Sequence, residues 1–369
     1  MPESLTESEA ALARRARAFA VDVLLPAADL EPGKARALII DAARKAGFYA
    51  MTQPAAFGGT EAGALALTIV RDELAATNAP FTGLVFGPGP GVLGGASGPL
   101  RDSHLQPLLE GRLRGAFGFT EPDDAPQPTT AVRDGDFWVV NGQKSYVTGG
   151  SDADFINTLV QIPDGGPGML VIDTGTPGVE LTQRFESLDG SHHAAFRFHN
   201  ALVPANHLIG TPGEGLPRAM RQIGDTRLAF AATCAGQLRW VDEYLTGHLK
   251  SPDRTGKPRG DKEGVRLRYA EARIHSFAAR SMVYRTARLA DRGANIVNEA
   301  IACKVFATEA IGDAVDNAIQ LVGGNALIQG HPLERLYRQV RALRLAEGGN
   351  DVLRLNLARG RLDLGKGVI

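Results

Sequence analysis

Cysteine is nearly missing from this chain: two in 369 residues, Cys234 and Cys303. Two thiols cannot build a disulfide framework, and neither sits in a zinc-type spacing of paired Cys and His. Both lie in alanine-rich helical surroundings, "AATCAG" and "EAIACKVFA", so they read as buried free thiols. The histidines, including the "SHHAAFRFH" stretch, share no metal-site spacing, and no metal is expected. Net charge is equally scarce: 40 basic residues face 41 acidic ones, leaving −1. That balance makes no field for nucleic acid or an anionic membrane, and neither is an expected partner. No run approaches the roughly 20 apolar residues that cross a bilayer. The N-terminal "MPESLTESEA" is acidic and lacks the regions of a secretory signal, so a reducing cytoplasm is the expected compartment. P-loop, strand-borne GxGxxG and GxSxG patterns are missing too, which argues against the chemistries they carry.

What is present is informative in its order. Hydrophobic residues make up 44% and charged residues 22%, a globular balance, and a chain of this length divides into domains. Residues 1–113 are expected to form a helical domain. Thr6 and Glu9 make a capping-box pattern ahead of "AALARRARAFAVDVLL", which Pro26 should close. "GKARALIIDAARKAG" reads as an amphipathic helix stopped by Gly47, and "ALALTIVRDELAAT" as a third helix. Residues 114–213 change texture. Short runs such as "DFWVVNGQKSYVTGG", "FINTLVQI", "GMLVIDT" and "AAFRFHNALVP" are broken by Gly, Pro and Asp. That is the pattern of a compact β-domain, barrel or sandwich. Residues 214–369 return to long helices around the breaker-rich "KSPDRTGKPRGDKEG", and Asn350 is placed to N-cap the last one. The fold class is α+β: an N-terminal helical domain, a central β-domain and a C-terminal helical bundle.

Several short stretches carry groups suited to chemistry, each ordinary by itself. In "FGFTEPDD", Thr120 and Glu121 leave the end of a strand. In "NGQKSYVTGG", Asn141-Gly142 reads as a hairpin turn, and alternation sets Tyr146 and Thr148 on one face. An aromatic beside a hydroxyl can floor a flat heterocycle; taken alone, an ordinary half-buried strand accounts for them better. "QLVGGNA" ends a helix in two glycines, a simple C-cap or an approach for a phosphate or adenine. Arg227 in "GDTRLAFAA" is either solvated or set against an anion. "AEGGNDVLR" places Glu347 at the end of a basic helix where Gly or Asn would suffice to stop it.

In sequence order and spacing, "GAFGFTEP", "NGQKSYVTGG", "FRFHNALVPANHLIGTPGEG", "QLVGGN…ERLYRQVR" and "EGGNDVLR" resemble the acyl-CoA dehydrogenase family. The resemblance covers about residues 40 to 360. It implies the same three-domain fold, with FAD between the β-domain and the C-terminal helices. It implies conversion of an acyl-CoA thioester to the trans-2-enoyl thioester, by loss of an α-proton and a β-hydride. Glu347 is implied as the catalytic base, with small residues after it that leave room for the thioester. Phe119, Thr120, Tyr146, Val147 and Thr148 would lie along the flavin, Gln320, Gly323 and Gly324 at its adenosine end, and Gly349 and Asp351 beside it. Arg227, Ala346 and Gly348 would line the thioester cleft. An electron-transferring flavoprotein is the implied acceptor. The implied assembly is a homotetramer, or a heterotetramer with a sister subunit.

The chain also departs from the family pattern. The usual "TEPxxGSD" is "TEPDDAPQ" here, so Ala125 and Pro126 replace a glycine and a serine. The usual "RxxFGkp" becomes "PDRTGKP", with Arg254 as stand-in for a displaced arginine. Glu263 stands where glutamine is usual. Thr226 occupies the alternative base position, leaving Glu347 as the candidate base. These losses keep open a flavin-poor partner subunit of a heteromeric dehydrogenase, and an oxidase of the same superfamily. Ala346 and Gly349 stand where bulkier residues are common, which predicts a wide cleft and a branched, cyclic or aromatic acyl group.

Overall fold

A computed structural model describes residues 4–365 and 369. The chain forms two compact units. The helical unit draws on both ends of the chain, Met1–Met51, Ala62–Phe86 and Gly224–Ile369. Helix α1 (Glu7–Phe19) starts at the expected capping box, with Thr6 and Glu9 bonding each other's backbone N–H. Pro26 does not close it. A wider π turn at Ala20–Leu24 leads into a further turn, α2 (Leu25–Ala27), which has Pro26 in its first turn. The wider turn accommodates the proline, and the helical run ends one residue later, at Ala27. Helix α3 (Pro32–Ala46) does end as expected, at Gly47 with φ of 80°.

Helix α4 (Ala64–Ala75) follows Gly63, which has no side chain to cap it. Its first N–H groups, on Ala64 and Leu65, donate to the Asp291 carboxylate at 2.6 and 3.1 Å. Asp291 ends α7 (Glu263–Asp291), so a distant helix caps this one. Helix α6 (Gly215–Lys250) runs unbroken through Gly224 and Gly236. A Cβ at Gly236 would strike the Asp72 carbonyl and Ala75, so that glycine serves close packing of α4 on α6. Helices α8 (Val297–Val322), α9 (Pro332–Leu343) and α10 (Asn350–Leu362) complete the unit. Leu238, Val241, Val283, Ile311, Val315 and Leu336 lie at its apolar centre, and Cys234 and Cys303 are buried there as free thiols.

The β unit comprises Thr52–Glu61 and Gly87–Ile223. It holds α5 (Gln106–Glu110) and seven strands, β1 (Gly115–Gly118), β2 (Thr130–Asp134), β3 (Phe137–Thr148), β4 (Phe155–Ile162), β5 (Gly166–Asp173), β6 (Val179–Glu186) and β7 (His192–Pro204). All join one sheet, in the order β1-β4-β2-β3-β7-β6 with β5 also on β4. This is an open half-barrel rather than two packed sheets. β2 and β6 were not expected. β6 is an edge strand without a fully buried residue, and Gln183 interrupts the alternation of Val179, Leu181 and Phe185 with polar neighbours.

The Asn141-Gly142 turn is also corrected. β3 runs straight through it, and the β2–β3 hairpin turns instead at Gly135-Asp136, with Gly135 at φ of 52°. The Asn141 side chain bonds across to Asn200, donating to its Oδ1 at 3.1 Å and accepting its N–H at 2.9 Å. Gly142 is needed for approach: a Cβ there would come within 2.5 Å of the Thr129 Cα.

Candidate active site

In the β unit, β1 delivers the chain to Phe119 and Thr120, and β3 pins them. The Ser145 N–H donates to the Thr120 carbonyl at 2.9 Å. The Lys144 ammonium donates to the Phe119 carbonyl at 3.1 Å and to Glu121 Oε1 at 2.9 Å. Burial works against the Glu121 carboxylate, yet Lys144 and the Thr129 N–H hold it below its ordinary range. Burial lowers the Lys144 ammonium, and Glu121 opposes that. Sequence reasoning missed this pair. Its signal was parity: Lys144 falls on the inward face with Trp138 and Val140.

Register against β7 then slips between Lys144 and Val147, and Tyr146 takes a left-handed backbone with φ of 54°. The slip turns Tyr146 and Thr148 outward together, as expected. Tyr146 is 65% exposed and meets Phe185 edge-on at 5.4 Å; Phe185 stacks on His193, which is hydrogen-bonded to the Thr148 hydroxyl at 3.2 Å. Val147 lies between Tyr146 and Thr148 and faces the other way. Its side chain is buried in the β core, so only its backbone is available to a ligand. Thr120, Tyr146 and Thr148 are each exposed, and an aromatic and hydroxyls of this kind suit a flavin ring.

The fold also brings two histidines and a carboxylate together. His104 Nε2 donates to Asp173 Oδ1 at 2.9 Å, and His207 Nδ1 stands 4.0 Å from Oδ2 of the same carboxylate. Such ligand types close together were invisible in the sequence because they lie far apart in it. His207 Nδ1 already donates to the Val171 carbonyl at 3.0 Å, so it has no lone pair to offer a metal.

In the helical unit, the loop between α9 and α10 carries Glu347. Its backbone is left-handed, φ of 55°, and Gly348 follows at 97°. A left-handed glutamate is strained and has to be held by its surroundings. Arg227 Nε on α6 donates to the Glu347 carbonyl at 2.9 Å. From α8, the Lys304 ammonium donates to the Gly348 carbonyl and to Asn350 Oδ1, both at 2.8 Å. Asn350 is therefore not the expected N-cap. It is the first residue of α10, buried, with Gly349 in the cap position. Its amide donates to Thr308 Oγ1 at 3.0 Å and Glu309 Oε1 at 3.1 Å. Burial raises the Glu347 carboxyl above its ordinary value, while Arg227 and Lys304 pull it back down.

The other singled-out residues of this unit, of which only Asp351 adjoins that loop in sequence, differ in character. Gln320 is exposed on the last turn of α8. Gly323 has φ of 87° and ψ of −164°, a combination open to glycine alone. A Cβ at Gly323 or Gly324 would meet nothing within 4 Å, so this backbone is open to a ligand. That openness fits the adenosine end of FAD. Arg254 is exposed in the loop before α7. Asp351 is exposed and pairs with Arg354 at 3.5 Å.

Models of the acyl-CoA dehydrogenase N-terminal, middle and C-terminal domains match residues 6–110, 116–201 and 213–362. An acyl-CoA dehydrogenase of Bacillus subtilis is 28% identical over 96% of this chain and 98% of its own length. A cyclohex-1-ene-1-carbonyl-CoA dehydrogenase of Geobacter metallireducens is 30% identical over 84% of this chain and 85% of its own. The FAD complex of PigA shares the fold, with a TM-score of 0.86 and 24% identity over 98% of each chain. With its three segments matched in order, the chain belongs to the acyl-CoA dehydrogenase family of FAD-dependent oxidoreductases.

Proposed function

We propose that this chain is an acyl-CoA dehydrogenase in which Glu347 removes the α-proton of a bulky acyl-CoA thioester. The observation that carries the reading is Glu347 itself: a part-buried carboxylate on a left-handed turn, its peptide held by Arg227 and its loop by Lys304. A base so placed is fixed in direction and desolvated, which strengthens it towards a carbon acid. The α-C–H bond breaks, its proton passes to the Glu347 carboxylate, and its electron pair forms the new double bond. FAD held by this chain would supply the two-electron acceptor for the β-hydrogen and its electron pair. Thr120, Tyr146 and Thr148 would hold the flavin ring, with Gln320, Gly323 and Gly324 at the adenosine end.

Ala346 and Gly349 support a bulky acyl group. A Cβ at Gly349 would meet nothing within 4 Å, and its φ of −56° suits any residue, so packing does not demand glycine there. Unfilled apolar space binds a short linear chain poorly, whereas a ring can fill it. The cyclic substrate in the name of the Geobacter metallireducens relative agrees with this. The test is anaerobic flavin bleaching by butanoyl-CoA and by branched and ring-bearing thioesters, in wild type, Ala346→Tyr and Gly349→Thr. Higher kcat/KM for ring-bearing thioesters is expected, shifting towards butanoyl-CoA in the variants. A wild-type preference for butanoyl-CoA, or variants with unchanged preferences, would end the bulky-substrate reading.

The acceptor that goes with this reading is an electron-transferring flavoprotein. Assembly into a tetramer is supported by Leu267, Ile274 and Phe277, exposed along α7 at helical spacing. The "TEPDDAPQ" departure favours one second reading, a partner subunit that binds little flavin alone. Purification of the single chain decides between them: a yellow protein with up to one FAD per chain is expected. A chain that stays colourless with added FAD makes it the partner subunit.

A further inference from the structure

Lys304 is fully buried on α8, a position where a helix of this kind normally carries an apolar side chain. An ammonium has three donors, and here each finds an acceptor at a different point of one loop. The Arg344 carbonyl, at the end of α9, lies 3.4 Å away. The Gly348 carbonyl, directly after Glu347, lies 2.8 Å away, and Asn350 Oδ1, at the start of α10, also 2.8 Å. Asn350 ties the network back to α8 through Thr308 and Glu309. The Thr308 hydroxyl in turn donates to the Lys304 carbonyl at 2.8 Å.

We propose that Lys304 is a positioning residue for the reaction: its three bonds hold the 344–350 loop so that the left-handed Glu347 keeps its aim. The proposal rests on the reading of Glu347 as the base. A mere packing role explains it poorly, because a buried cation is costly and an apolar residue of similar volume would fill the site. A strained backbone, by contrast, needs several fixed points around it. Arg227 supplies one on the Glu347 carbonyl, and Lys304 supplies the one on the next carbonyl.

Charge gives Lys304 a second effect. The groups facing it are Arg227 and the Cys234 thiol on α6, Glu309 on α8, and Glu347 in the loop. Burial pushes the ammonium down to about 8, so it is largely charged at neutral pH. As a cation it opposes the rise of the Glu347 carboxyl. Removing it therefore moves the acid limb of the rate profile to higher pH, which a purely structural loss would not do.

The test compares Lys304→Met, Asn350→Ser and Glu347→Gln as FAD-loaded proteins with the same thioesters. Flavin content and thermal midpoint are measured first, then the rate of flavin bleaching against pH. Lys304→Met is expected to lose about a hundredfold in rate, the scale of a misplaced catalytic group, with its acid limb shifted upward. Asn350→Ser keeps the ammonium but loosens its anchor, so a loss of about tenfold with an unmoved limb is expected. If Lys304→Met does not fold, Asn350→Ser decides. Folded Lys304 or Asn350 variants that match wild type in rate and pH profile, beside an inactive Glu347→Gln, overturn the proposal. An active Glu347→Gln instead overturns the assignment of the base.

Discussion

Glu347 is caught between two opposing forces. Burial favours its neutral form, while Arg227 and Lys304 favour the carboxylate. Burial wins, so its pKa lies above the ordinary 4.5. Since only the carboxylate can accept the α-proton, flavin reduction should rise with pH through that raised value. Stopped-flow rates between pH 4.5 and 8 should show this acid limb above the ordinary carboxylate range; a flat profile down to pH 4.5 would contradict it. Glu347 stood out in the sequence by its two glycines and the basic helix before it, but its role as base comes from the order of the family's motifs along the chain and not from local pattern. Lys304 did not stand out. Nothing in "IACKVFA" marks it, because its partners lie on a loop some forty positions later. Tyr146 and Thr148 were legible by alternation, although a register slip, not a regular strand, turns them outward.

Among the elements, those governed by local rules formed as expected. The Thr6 capping box and the Gly47 stop are examples, each decided by residues within one turn. Misjudged elements are those where a distant partner or a local irregularity intervenes. A π turn carries the first helix past Pro26, β7 holds Asn141 inside a strand, and Lys304 draws Asn350 inward. α4 formed where its sequence placed it, yet its N-terminal cap arrives from Asp291 on α7, which no local pattern shows. Asp291→Ala should therefore cost about 1 kcal/mol, the usual value of a lost cap. Urea denaturation checks this, and an unchanged midpoint would mean that water caps α4 equally well.

At the scale of the whole molecule, one buried charge cluster stands out in the helical unit. Asp72 is fully buried on α4 and accepts from Arg280 at 3.0 Å and the Tyr284 hydroxyl at 2.7 Å, and pairs with Arg239 at 3.1 Å. Glu73 beside it pairs with Arg239 at 2.8 Å. Three helices, α4, α6 and α7, meet at these charges. Removing one partner strands the others, so Asp72→Ala should cost about 3–5 kcal/mol. A denaturation midpoint near wild type would contradict that. The order helical, β, helical was legible because texture changes sharply near residues 114 and 214; the pairing of Asp72 with residues over 160 positions away was not.

The central claim is that Glu347 is the base, and a single anaerobic turnover tests it most directly. FAD-loaded Glu347→Gln, nearly isosteric with wild type, is mixed with the best thioester of the panel and flavin absorbance is followed. The fold, the flavin spectrum and thioester binding should persist, while bleaching slows about a thousandfold, within the range general bases contribute. Bleaching at near the wild-type rate would contradict the assignment.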